Sequence, residues 1–136
     1  MDVTAGTGIS DFGIVEAESI AFNAGGTVTT RRTGDYTLNG IIEAQNYNLE
    51  ITGGNLTTTD RSLITTRGLI DIDATGGITH GGTIISVGDT TIDSVEGFVE
   101  TLSGSVISAQ NNLTIKASDH IVLGGLALAD LSLIHI

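Results

Sequence analysis

The chain has 136 residues, among them 19 Gly, three Phe, two Tyr and no Pro, Cys or Trp, so the large side chains that fill ordinary globular interiors are nearly absent. Five basic against sixteen acidic residues give a formal net charge of −11, which argues against nucleic acid as a partner because phosphate binding draws on clustered Lys and Arg. The lack of Cys rules out a disulfide framework and thiol chemistry.

What is abundant instead is Ile, Leu, Val, Thr, Ser, Asn and Gly, a balance that suits many short strands joined by tight turns. Residues 1–10 carry too little pattern to define a cap and read as a leading segment. Met1-Asp2-Val3 lacks the basic start of a secretion signal. No stretch approaches the roughly 18 consecutive apolar residues of a membrane helix, so membrane insertion is not expected.

From residue 11 to 125 the chain repeats. Ile20, Ile42, Ile64, Ile85 and Ile107 open equivalent segments spaced 22, 22, 21 and 22 residues apart (42−20, 64−42, 85−64, 107−85). A period in this range points to a solenoid whose units bury their apolar faces only by stacking on their neighbours. Two residues after each anchor comes a second small or apolar position, Phe22, Ala44, Thr66, Val87 or Ala109. A Gly- or Asn-rich turn follows, and then a second alternating stretch such as Leu49-Glu-Ile51, Ile70-Asp-Ile72 or Leu113-Thr-Ile115. Period-two alternation turns Ile and Leu inward and charges outward. A third short stretch, as in Gly77-Ile-Thr or Gly97-Phe-Val, leads into the next anchor. The expected fold is all-β: a parallel β-helix (β-solenoid) of about five coils of 21–22 residues, with three short strands per coil and the five anchoring isoleucines in one inward column. Residues 126–136 read either as a partial further coil or as a non-native tail. Leu131–Ile136 resembles the start of a peptide made when sequencing-library adaptor is translated. The whole reads as a piece of a longer array.

The segments Gly40-Ile-Ile-Glu-Ala-Gln-Asn-Tyr-Asn-Leu-Glu-Ile51 and Gly104-Ser-Val-Ile-Ser-Ala-Gln-Asn-Asn-Leu-Thr-Ile-Lys-Ala117 resemble repeats of filamentous haemagglutinin-type bacterial exoproteins. The resemblance covers roughly residues 12–125. It implies a right-handed β-helical shaft, a secreted or cell-surface location, two-partner secretion, and adhesion to a host-cell glycan or protein receptor by the parent protein.

Candidate sites are few. Asp71 and Asp73 should share an outward face with Glu50 one coil below and Asp93 one coil above, so Asp71, Asp73 and Asp93 are candidate Ca²⁺ ligands. Lys116 continues the column and no Gly-Gly-x-Gly-x-Asp pattern occurs, so solvated surface charge is the expected reading. A polysaccharide lyase or glycosidase would need paired carboxylates beside aromatic or basic contacts. Tyr36, Tyr47, Arg31, Arg32, Arg61 and Arg67 do not cluster at one repeat position. His80, His120 and His135 lack partners at metal-ligand spacing and are expected in turns or on the surface. The Thr runs fall at different repeat positions, which argues against a ranked ice-binding face. Asn46, Asn111 and Asn112 are expected in stacked, hydrogen-bonded turns. No cofactor and no catalytic residue is expected.

Overall fold

The computed structural model describes residues 2–6, 8–12 and 20–135. Among them there is no helix, and the strands wind into a β-solenoid of about six turns. The first turn holds β1 (Asp2–Ala5) and β2 (Ile9–Phe12), and so begins within the leading segment. The second holds β3 (Ile20–Ala24), β4 (Thr27–Thr33) and β5 (Tyr36–Leu38). The third holds β6 (Gly40–Ala44), β7 (Asn46–Thr52) and β8 (Leu56–Thr58). The fourth holds β9 (Leu63–Thr66), β10 (Ile70–Ala74) and β11 (Ile78–His80). The fifth holds β12 (Thr83–Ser86), β13 (Thr90–Ser94) and β14 (Val99–Thr101). In the sixth, β15 (Val106–Ala117) runs through the first corner before β16 (Ile121–Leu123), and β17 (Leu126–His135) starts a further coil.

Every pairing is parallel, each strand lying on its equivalent one turn away. Three faces result. Face A stacks the first strand of each turn, face B the second and face C the third. Faces A and B merge into one 12-stranded sheet because β15 pairs with both β12 and β13, while face C is a separate five-stranded sheet. The interior is the space between these faces, and the alternating burial of β6, β10 and β13 shows the period-two pattern that fills it.

The register departs from the expected isoleucine column at its first and fourth members. The inward face A column runs Phe22, Ile42, Ile64, Ile84 and Ile107. Ile84 is 1% exposed, whereas Ile85 is 38% exposed and faces outward between Thr65 and Ser108. Ile20 pairs with Gly40, two residues below the expected position; its side chain lies outside the described part. The next inward column is Ala24, Ala44, Thr66, Ser86 and Ala109, all buried. Thr66 and Ser86 survive inside because their hydroxyls donate to the carbonyls of Gly68 (3.0 Å) and Gly88 (3.1 Å) in the following corner.

Unequal corners explain the shift. From column to column the separations are 20, 22, 20 and 23 residues (42−22, 64−42, 84−64, 107−84). Between face C and the next face A strand, the corner after the third turn is Thr59–Ser62 and that after the fifth is Leu102–Ser105. Each closes through its serine, whose amide and hydroxyl both reach back three residues: Ser62 to the Thr59 carbonyl (3.0 and 2.8 Å) and Ser105 to that of Leu102 (3.1 and 2.7 Å). The corners after the fourth and sixth turns are Gly81-Gly82 and Gly124-Gly125. A Cβ on Gly82 or Gly125 would collide with the hydroxyl of Ser62 or Ser105 beneath it. From the third turn to the sixth, wide serine corners and narrow glycine corners therefore alternate, with 43 residues between equivalents (105−62, 125−82), while the corner after the second turn is Asn39 alone.

Side-chain acceptors finish the corners. Asn46 Oδ1 accepts from the Leu69 amide (2.9 Å), and Asp89 Oδ1 accepts from the Asn112 amide (3.2 Å) and from the side chains of Asn111 (2.6 Å) and Asn112 (2.9 Å). On the other corner Asp35 serves the Asn55 amide (2.8 Å) and Asn55 serves that of Gly77 (2.7 Å). Each side chain thus satisfies an amide of the turn after its own, and each such bond is worth about 1 kcal/mol net.

Candidate functional site

Outward residues form columns, and the three faces differ in chemistry. Face B carries the charge. One column reads Arg31, Glu50, Asp73, Asp93, Lys116 and His135 by consecutive Cα partners, and its neighbour reads Asn48, Asp71, Thr91 and Thr114. Glu50, Asp73 and Asp93 are thus brought onto adjacent strands as expected, while Asp71 stands two residues along β10. Arg31 Nε meets Glu50 Oε2 at 3.1 Å, both largely solvated, so this pair contributes little. Among the described residues no three carboxylate or imidazole groups are arranged to hold a metal ion.

Crowding leaves its mark on the carboxylates. Partial burial first, then the charges of Asp71, Asp93 and Glu50, push Asp73 up to about 6. Asp71 is raised by burial and by Asp93, with Lys116 opposing. A raised carboxyl in the folded state favours the protonated form, so stability from Asp73 is greatest below about pH 4 and falls as pH rises towards 6. Solvent screening limits the effect to about 1 kcal/mol. Asp73→Asn is expected to raise the melting temperature at pH 7 by a few degrees and to remove that part of the pH dependence. Equal melting temperatures at pH 7 would remove the repulsion from the account.

The histidines are divided. His80 is 1% exposed inside face C, contrary to the surface position expected of it. Its inward column is Leu38, Thr58, His80 and Thr101, and its ring bridges turns: Nδ1 accepts from the Thr58 hydroxyl (2.6 Å) and Nε2–H donates to the Val106 carbonyl (3.2 Å). Burial, only partly offset by backbone hydrogen bonds, pushes its pKa below the usual value of 6.5. A depressed base favours the neutral form, so its stabilisation is present above pH 6.5 and lost as pH falls towards the folded value. His80→Asn should flatten the acid limb of a stability–pH profile, with a sign opposite to Asp73→Asn. His120 lies at the corner into face C, stacked on Phe98 with ring centroids 5.4 Å apart and held by Glu100 and Asp119 at 3.1 Å each. Those hydrogen bonds, led by Glu100, raise its pKa. His135 is exposed on β17.

The groups weighed as sugar contacts are dispersed. Tyr47 is wholly buried and donates its hydroxyl to Thr30 (3.2 Å). Arg32 is 8% exposed, its guanidinium 5.0 Å from the Tyr36 ring centre and bonded to the Arg31 carbonyl (2.9 Å). Arg67 and Glu43 line an open hollow of about 250 Å³ at the corner between faces A and B, which holds one carboxylate rather than a pair. Face C carries Thr37, Thr57 and Thr79 in a single outward file, without the second Thr rank a lattice-matching face would need. Face A carries one mainly apolar column, Ile41, Leu63, Thr83, Val106 and Leu126, beside a mixed one, Glu43, Thr65, Ile85, Ser108 and Leu128. Neither burial of Tyr47 nor of His80 was foreseen from residue type. The signal available was position, since both lie two residues from an inward Leu or Ile on an alternating strand (Leu49, Ile78).

No family model, curated protein or solved structure matches this chain.

Proposed function

We propose that the chain is a structural shaft or adhesive surface segment of an exported bacterial exoprotein of the filamentous haemagglutinin type, without catalysis of its own. One observation carries the reading. The chemically conspicuous side chains either fill the interior ladders, as Tyr47, Arg32 and His80 do, or run in outward columns from turn to turn. Columns of this kind present a repetitive surface along an axis, which suits spacing and multivalent contact rather than a single reacting centre.

The test has two arms. Purified chain is incubated with neutral and uronate-containing polysaccharides while new reducing ends are followed, and beads coated with it are scored for attachment to epithelial cells. We expect no turnover, with attachment separating an adhesive surface from a plain spacer. Turnover that disappears in Glu43→Gln would replace the shaft reading with a carbohydrate-active one centred on the hollow beside Arg67.

A further inference from the structure

We propose that Asn39-Gly40 is a self-modification site, at which the chain deamidates when its third turn lets go of its second. Asn is a chemically labile residue. Among the seven Asn of the chain, Asn39 is the one followed by Gly, and no Asp-Gly step occurs. Glycine matters because it sets no Cβ beside the backbone nitrogen that attacks the preceding side chain.

The chemistry needs only water. The Gly40 nitrogen bonds to Asn39 Cγ, the Cγ–Nδ2 bond breaks, and the Gly40 proton leaves with the amide nitrogen as ammonia. Water then opens the cyclic imide. Breakage at Cγ leaves an aspartate. Breakage at the Asn39 backbone carbonyl leaves an isoaspartate, whose main chain runs through the side chain and is one carbon longer. Loss of ammonia makes the step one-way.

Packing opposes both the reaction and its product. Asn39 is the entire corner between β5 and β6, whereas Thr59–Ser62 and Leu102–Ser105 have four residues and the glycine corners two. Gly40 is buried as the first residue of β6 and pairs with Ile20, so water that would take its proton is excluded. Thr59, one turn above, grips the corner twice: its amide donates to the Leu38 carbonyl (3.0 Å) and its hydroxyl to Asn39 Oδ1 (2.8 Å). Ring closure needs ψ and χ1 of Asn39 to turn together. Strands on both sides fix the first, and the Thr59 hydroxyl holds the second. The folded corner therefore holds the step back, and local opening releases it. A one-residue corner has no slack for an added main-chain carbon, so the second turn then stays loosened from the third.

Peptide mapping by mass spectrometry of the full chain, aged at mildly alkaline pH with and without denaturing urea, tests this. We expect Asn39 to be the fastest-deamidating Asn in urea, and to react at least tenfold more slowly in the folded chain. Thr59→Val should raise the folded-state rate at least threefold and leave the rate in urea unchanged. Ser105→Ala, which removes a corner hydroxyl bond two turns further up, should leave the Asn39 rate unchanged and so separates local grip from global stability. The isoaspartate fraction, isolated by chromatography, should melt below the unmodified chain. Several results would overturn the proposal: another Asn modified first in urea, equal rates folded and in urea, or a Thr59→Val rate no higher than that of the unaltered chain or matched by Ser105→Ala. An isoaspartate fraction with an unchanged melting temperature would overturn it as well.

Discussion

Ile84→Ala is expected to lower stability by about 2–5 kcal/mol, while Ile85→Ala changes it by less than about 1 kcal/mol. The two residues are neighbours of identical chemistry, so only their direction distinguishes them. Ile84 is 1% exposed and stacked between Ile64 and Ile107, where truncation leaves a cavity that rigid coils above and below cannot close. Ile85 gives up a side chain that is already 38% solvated. Thermal or denaturant unfolding followed by circular dichroism separates the variants. A reversed order would mean that the fifth turn is slipped by one residue, a shift that exchanges its two faces.

Gly54→Ala should cost a further few kcal/mol by a different route. A Cβ at Gly54 would fall inside contact distance of the Gly34 carbonyl carbon and the Asp35 amide, which are backbone atoms of the turn below. Backbone held at strand spacing cannot step aside as a flexible side chain does, so the overlap strains two turns at once. Gly53 is the control. It sits at φ +71° with open space around its Cβ position, and Asn tolerates that conformation. Gly53→Asn should therefore cost well under 1 kcal/mol. Similar melting temperatures for the two variants would show that the turns separate more easily than their stacking suggests.

The class of fold was legible because its cause is repetitive: alternating Ile and Leu between Gly and Asn corners, turn after turn. The register was legible at three of the five anchors: Ile42 and Ile64 pair as expected, and Ile107 closes the same inward column. It slipped at Ile85 because a double isoleucine, Ile84-Ile85, offers either residue to the core, and the period alone cannot choose. The choice lies in the next positions. Thr66-Arg-Gly68 and Ser86-Val-Gly88 have an inward hydroxyl bonded to a corner carbonyl, and aligning them gives the 20-residue step. His80 was expected in a turn or on the surface because its polar atoms were treated as surface markers, when hydrogen bonds to Thr58 and Val106 satisfy them inside, as one to Thr30 satisfies the buried Tyr47 hydroxyl. The acidic column was readable because its members follow an inward Ile or Leu by one residue. The raised pKa of Asp73 was not, since it depends first on how far stacking buries the carboxyl and only then on the charges of Asp71, Asp93 and Glu50.

The alternation of serine and glycine corners sets how such a rod can be lengthened or shortened. Excising residues 63–105 joins Ser62 to Val106 and seats Gly125 over the Ser62 corner, recreating the contact that Ser105 now makes. Excising residues 63–82 alone would instead stack one serine corner on another, with no glycine to receive the hydroxyl. Growth and loss by whole pairs leave the packing intact. The length step that preserves this corner packing is two turns, an increment of about 9.6 Å.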